Sequence, residues 1–147
     1  MIDVHIAQNE SERDLCYKIR EEVFVRGQNI PLELDRDGID SEAEHVILYN
    51  DNEAVGCARV RYVDGHMKLE RIAVLERKRG LGLGKRLMQF LNDYAQTKDV
   101  DEIVMSAQQY LEEFYRGFGF VTQGESYPEA GIPHVKMHKA TQKSSHL

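Results

Sequence analysis

The sequence predicts an α/β domain built on a mixed sheet, and three observations carry that prediction. Short alternating or continuous apolar runs suited to strands recur along the chain, two stretches place apolar residues at helical spacing, and one strand runs straight into a glycine turn, a helix and a further strand. That last order is a βαβ unit, whose strands are parallel, whereas two-residue turns elsewhere require antiparallel neighbours. Together they give about six or seven strands and about four helices. The chain of 147 residues is a usual single-domain length, able to bury roughly 68–70% of its unfolded surface, and no internal repeat or composition break divides it.

Ile2, Val4 and Ile6 alternate with polar residues as a first strand. Ser11 and Asp14 have capping-box spacing, and Leu15, Ile19 and Val23 then mark one face of a helix. The stretch 26–44, with its proline, turn residues and many acids, reads as a loop or broken helix, and loops of that length are often functional. Its acids Glu33, Asp35, Asp37, Asp40, Glu42 and Glu44 read as a solvated surface, with attraction of a cationic ligand as the alternative. Residues 45–49, 54–63 and 66–75 are three antiparallel strands joined by turns at 50–53 and at Asp64-Gly65. In the last of them Met67 and Leu69 are followed by Ile72 and Val74, so the apolar parity switches across Glu70-Arg71. A β-bulge there keeps all four side chains on one face; burial of both faces would remove the need for it.

Leu87, Met88, Leu91, Tyr94 and Ala95 define a helix running to about Lys98. A short apolar strand at 102–107, a short helix around 111–118 and strands near 120–125 and 134–138 complete a domain of residues 1–139, with 140–147 read as a frayed tail of low apolar content. Cys16 and Cys57 fall on buried positions without a Cys-x-x-Cys pair, as reduced structural thiols do. The net charge of −6 argues against nonspecific nucleic-acid binding, and no apolar run is long enough to span a bilayer, so a cytoplasmic protein without nucleic-acid or membrane partners is expected.

Against that acidic background, Arg77, Lys78, Arg79, Lys85 and Arg86 surround Gly80, Gly82 and Gly84. Alternate glycines before a helix let a backbone approach a ligand while the helix aims free N–H groups at an anion, so a phosphate-bearing ligand is the chemistry implied, with a plain tight turn as the alternative. It is not a Walker A loop: Arg79 stands where the first glycine is required, and Arg86 where Ser or Thr would hold magnesium. Nor is it a dinucleotide fingerprint, because the spacing is Gly-x-Gly-x-Gly on a fourth strand.

Arg79-Gly80-Leu81-Gly82-Leu83-Gly84 and the later Tyr115-Arg116-Gly117-Phe118-Gly119-Phe120, with the order of elements from Ile2 to His138, resemble the GNAT superfamily of acyl-CoA-dependent N-acyltransferases, and within it a branch of small bacterial proteins of mostly unassigned substrate. The resemblance implies an α+β fold whose central sheet is splayed between its fourth and fifth strands. It implies that Arg79, Gly80, Leu81, Gly82, Leu83, Gly84 and Lys85 hold the pyrophosphate of acetyl-CoA, that Ile72, Ala73 and Val74 line the pantetheine and thioester, and that Gln108, Phe114 and Tyr115 lie along the cofactor. Many family members carry Asn and Ala where this chain has Gln108 and Leu111; Gln108 offers a similar amide.

Acyl transfer to an amine needs a neutral nucleophile, donors for the oxyanion and a proton for the departing thiolate. Tyr115 is the candidate acid, a core tyrosine being the alternative. Glu70, Glu129, His134 or a water chain are candidate bases. His134 and His138, about 13 Å apart on an extended strand, are no metal pair, and no metal is expected. The expected activity is acetyl transfer from acetyl-CoA to a small-molecule or peptide amine, with a homodimer plausible on resemblance. A noncatalytic acyl-CoA-binding regulatory domain is the alternative from another class, and a nucleotide-binding module a third.

Overall fold

The computed structural model describes residues 1–142. In chain order it contains β1 (Ile2–Ile6), α1 (Glu10–Arg20), α2 (Leu32–Asp35), β2 (Glu44–Asn50), β3 (Glu53–Val63), β4 (His66–Val74), α3 (Leu83–Gln96), β5 (Glu102–Gln108), α4 (Glu112–Arg116), β6 (Val121–Glu129) and β7 (Ile132–Ala140). The strands form one seven-stranded sheet in the order β1-β2-β3-β4-β5-β7-β6. β1 and β2, β2 and β3, β5 and β7, and β6 and β7 pair antiparallel, while β4 and β5 pair parallel, so the sheet is mixed as predicted. The chain divides into two compact units, Met1–Arg61 with Arg71–Leu91, and Tyr62–Glu70 with the chain from Asn92 onward.

In the first unit α1 begins two residues earlier than Ser11 suggested. Asn9 is its N-cap, accepting from the Glu12 N–H at 2.9 Å, and Glu12 Oε1 accepts from the Gln8 N–H at 3.0 Å. The cap is therefore Asn9 rather than Ser11, an asparagine capping as well as a serine, and the carboxylate three residues on, Glu12, folds back onto the N–H of Gln8 just before the cap. The helix buries Cys16, Ile19 and Arg20, then opens into a π-helical turn, Glu21–Arg26, that buries Val23 and Phe24. Val46, Ile47 and Leu48 of β2 and Val55, Cys57, Ala58 and Val60 of β3 are all buried. Strands covered on both faces read as continuous apolar runs, as these do. The β2–β3 turn, expected at 50–53, carries Asp51 and Asn52 at φ 51° and 69°, the geometry of a two-residue hairpin. Both thiols are free and buried, and burial pushes Cys16 up to about 12.

The acidic stretch 33–44 is not simply a solvated surface. It folds as α2 and a 3-10 turn, Asp40–Glu42, and three of its acids enter an ion network with three arginines. Arg20, 1% exposed, donates from Nη1 to Asp40 Oδ1 at 2.7 Å and lies 3.3 Å from Asp35 Oδ1; Arg59, fully buried, grips both Asp37 oxygens at 2.8 Å and Asp40 at 3.0 Å. Arg71 lies 3.2 Å from Asp35 Oδ1 and 3.3 Å from Asp37 Oδ2. Asp35, Asp37 and Asp40 are thereby spent on arginines of the same unit, while Glu33 and Glu42 remain exposed. The Arg59 guanidinium holds the Asp37 carboxyl well below the usual range. Burial would raise Asp40, but Arg20 and then Arg59 more than reverse this.

In the second unit Met67 and Leu69 of β4, Ile103, Met105 and Ala107 of β5, and Val135 and Met137 of β7 make the core with Tyr115 and Phe120. β6 and β7 are longer than the sequence suggested because Ala130 and Gly131, at φ 52° and 76°, close a two-residue hairpin between Glu129 and Ile132. The expectation of a frayed tail from residue 140 fails for its first residues. Thr141 is 1% exposed and its Oγ1 donates to the Val100 carbonyl at 2.7 Å, and the Gln142 N–H donates to Gln96 Oε1 at 2.9 Å. Two polar anchors hold what apolar content does not; residues 143–147 of that expected tail lie outside the described residues.

Candidate functional site

The glycine loop lies in the first unit, between β4 and α3. Gly80 and Gly82 adopt φ 84° and 77°, a region that L side chains occupy at a cost of roughly 1–2 kcal/mol, and a Cβ built on either meets nothing within 4 Å. Backbone conformation, not crowding within the chain, requires glycine at both. The Gly82 carbonyl accepts from the Arg86 N–H at 3.2 Å and α3 starts at Leu83, which leaves the Leu83, Gly84 and Lys85 N–H groups without helical acceptors at the positive end of a helix of 14 residues.

The five basic residues of the cluster divide by partner. Arg77 is held by both oxygens of Glu53, and Lys78 Nζ lies 3.8 Å from the same carboxylate, so these two are compensated. Arg79 Nε donates to the Val74 carbonyl at 3.1 Å, tying the loop to the end of β4, while Lys85 and Arg86 are exposed and form no ion pair among the described residues. Positive charge is thus concentrated at the start of α3. An open cleft of about 690 Å³, lined by Glu22, Gln28, Glu76, Arg77 and Arg79 among others, adjoins this loop, a size usual for small-molecule sites.

The expected irregularity of β4 falls at Arg71, whose φ is 53° in mid-strand, and the ladder to β5 ends at Leu69 opposite Met105, before Glu70. A left-handed residue within a strand re-aims the amides that follow, here those of Ile72, Ala73 and Val74. The burial pattern departs from the expected one: Ala73 is buried and Ile72 and Val74 are half-buried, as befits a strand with neighbours on both faces.

The second unit carries the other candidates. Tyr115 on α4 is 4% exposed, its ring packs edge-on to Phe114 at 5.3 Å and near Phe120 at 6.3 Å, and burial pushes its phenol up, so it carries its proton. Its hydroxyl makes no hydrogen bond among the described residues. Phe114 is 39% exposed, and Gln108 ends β5 opposite His134 of β7.

The three side-chain base candidates separate. Glu70 lies 3.7 Å from Lys68 Nζ. Glu129 and His134 meet across the hairpin, with 3.5 Å between Oε2 and Nε2, and His138 turns instead to Glu102 at 3.3 Å. Sequence reading missed two residues that join the first pair. Ser106 Oγ donates to Glu129 Oε1 at 3.2 Å and shares a short hydrogen bond with Tyr127 Oη. The signal was available in principle: Tyr127 and Glu129 are two apart on one strand, and an Ala130-Gly131 turn returns His134 opposite Tyr127. Among the described residues no three His, Cys, Asp or Glu side chains gather as a metal site, and no helix is long and apolar enough to cross a membrane.

Comparison with known proteins is consistent across sequence and structure. Residues 8–141 match the model of the acetyltransferase (GNAT) domain family. An uncharacterized N-acetyltransferase of Bacillus subtilis, YjcF, is 38% identical over 135 residues, covering 91% of this chain and 96% of its own. The crystal structure of an acyl-CoA N-acyltransferase from Pseudomonas aeruginosa superposes with a TM-score of 0.85 at 28% identity, over 95% of this chain and 100% of that one. The crystal structure of Escherichia coli ElaA gives a TM-score of 0.84 at 29% identity, over 95% and 99%. With the family model spanning most of its length and a relative this similar end to end, the chain belongs to the GNAT acetyltransferase family.

Proposed function

We propose that the protein transfers the acetyl group of acetyl-CoA to a primary amine by direct attack within a ternary complex. The single observation that carries this is the loop at the start of α3, where two left-handed glycines, three free N–H groups and the uncompensated Lys85 and Arg86 coincide. A pyrophosphate is an anion of the kind that free helix N-terminal N–H groups and nearby cationic side chains bind. The similarity to the Pseudomonas aeruginosa acyl-CoA N-acyltransferase supports the same cosubstrate.

In this reading Arg79 and the N–H groups from Leu81 to Lys85 hold the pyrophosphate, and the amides of Ile72 and Val74, turned by Arg71, bond the pantetheine and the thioester carbonyl. A positioned donor at such a carbonyl is worth roughly 3–4 kcal/mol of barrier. The neutral amine nitrogen attacks the thioester carbon and the carbon–sulfur bond breaks; Tyr115 gives its proton to the leaving sulfur, and the proton shed by the amine nitrogen restores the phenol, so the products are the acetylated amine and free coenzyme A thiol.

A screen of primary amines for acetyl-CoA-dependent thiol release, with mass spectrometry of the product, tests the proposal. A gain of one acetyl group on an amine is the expected result. Tight acetyl-CoA binding with no thiol release across the panel overturns it in favour of a noncatalytic acyl-CoA-binding module, and failure to bind acetyl-CoA at all overturns both.

A further inference from the structure

Arg71 combines a strained backbone with a heavily engaged side chain. Its φ of 53° is a left-handed conformation that any residue with a Cβ disfavours, and it occurs inside β4 rather than in a turn. A residue stays in such a conformation only where its surroundings over-determine it. The guanidinium supplies that hold. Its Nη2 donates to the Leu34 carbonyl at 3.1 Å and to the Asp35 carbonyl at 3.4 Å and lies 3.3 Å from Asp37 Oδ2, while Nε lies 3.2 Å from Asp35 Oδ1.

The segment that grips Arg71 is itself fixed. Asp35 is 2% exposed and its Oδ1 also meets Arg20, and both Asp37 oxygens accept from the buried Arg59, so residues 34–37 cannot follow Arg71 without breaking buried ion pairs. The backbone after Arg71 is equally confined. The Arg71 carbonyl accepts from the Cys57 thiol at 3.8 Å, and Gly56 makes room for the Ala73 carbonyl, which a Cβ at that glycine would meet at 3.2 Å. All of these residues belong to the first unit.

We propose that Arg71 is a positioning residue: its guanidinium, gripped by residues 34–37, keeps its own backbone left-handed and thereby fixes the direction of the Ile72, Ala73 and Val74 N–H groups. The consequence for catalysis rests on the acyltransferase reading above; the hold on the backbone does not. The Arg71 charge is already matched by Asp35 and Asp37, so the residue acts through the amides it aims and not through its own field. Donors fixed before the reaction need no reorganisation as charge develops on a thioester oxygen, which gives the acid-rich stretch a part in the site without any contact with a ligand.

Arg71→Ala and Arg71→Gly test this together, because both lose the same side-chain contacts while glycine alone takes a left-handed φ without strain. In an ordinary strand glycine is the worse of the two, and the proposal reverses that order. In 15N-labelled protein without coenzyme A, the Ile72, Ala73 and Val74 amide signals are expected to shift in Arg71→Ala and to stay near their parental positions in Arg71→Gly. With an amine identified by thiol release, Arg71→Ala is expected to lower kcat about tenfold or more, with a smaller rise in KM for acetyl-CoA, and Arg71→Gly to recover much of the lost kcat. Parental amide signals in folded Arg71→Ala, equal shifts in the two variants, or a loss confined to KM overturns the proposal. Should the alanine variant not fold, Arg71→Lys carries the test. One ammonium cannot reproduce the guanidinium fork, so shifted amide signals and a loss in kcat of about threefold or more are expected, and parental values in both overturn the proposal. Absence of turnover by the parent protein across the amine panel sinks the acyltransferase reading, whereas the amide signals alone decide the hold on the backbone.

Discussion

Replacing Gly84 with aspartate separates the fold from the function because the two effects have opposite signs. Gly84 is the second residue of α3, in a first turn whose cap is the Gly82 carbonyl, and it is half-buried. A glycine inside a helix costs roughly 1 kcal/mol against alanine, and aspartate recovers part of that while its charge gains about 0.3–1 kcal/mol from the helix dipole. The ligand-free variant should therefore be as stable as the parent or up to about 1 kcal/mol more stable, a rise in Tm of about 2–4 °C at most. A bound pyrophosphate would face that carboxylate: two unit charges 4 Å apart repel by about 4 kcal/mol at an effective dielectric of 20, and halving this for solvent and salt leaves about 2 kcal/mol. The expected weakening of acetyl-CoA binding is about 30-fold or more, read by titration calorimetry beside a thermal melt. Gly84→Asn, of the same size but uncharged, should lose much less, and the gap between the two should narrow at high salt. Unchanged affinity in folded Gly84→Asp refutes the assignment of the loop. Equal damage from Asn and Asp refutes the electrostatic argument.

Tyr115→Phe should leave Tm and acetyl-CoA affinity nearly unchanged, since the hydroxyl has no partner among the described residues, and lower kcat by about 10²-fold; a destabilised variant with normal turnover per folded molecule would make Tyr115 a core residue only. Asp40→Asn strips one carboxylate from between Arg20 and Arg59, and urea unfolding at neutral pH should show a loss of about 3 kcal/mol. Because the Asp37 and Asp40 carboxyls sit below their unfolded values, their contribution is full above the unfolded carboxylate pKa of about 4 and disappears as pH falls through the depressed folded values. The gap between parent and Asp40→Asn should accordingly close in strong acid, and a gap independent of pH would contradict the ionic account. Thr141→Val keeps the shape and removes the donor to the Val100 and Asp101 carbonyls, so a loss of about 1–2 kcal/mol in the same unfolding experiment is expected.

The sequence by itself determined whatever depends on neighbours along the chain. The paired left-handed turns at Asp51-Asn52 and Asp64-Gly65, the face of α3 and the glycines before it follow from local conformational preference and periodicity, which is why each was legible. The parity switch across Glu70-Arg71 pointed to the place where Arg71 turns left-handed, although not to the burial of Ala73. Tertiary structure decided what depends on which segments meet. Nothing local says that β7 lies between β5 and β6, and that order is what sets His134 between Gln108 and Tyr127 and brings Glu129 and Ser106 to one place. Charge behaved in the same way: Glu53 claims Arg77 and Lys78, while Arg20 and Arg59 enter apolar surroundings and draw Asp35, Asp37 and Asp40 after them. A count of acids and bases sees only sign and spacing, whereas a buried charge must find a specific partner, and that partner is chosen by the fold.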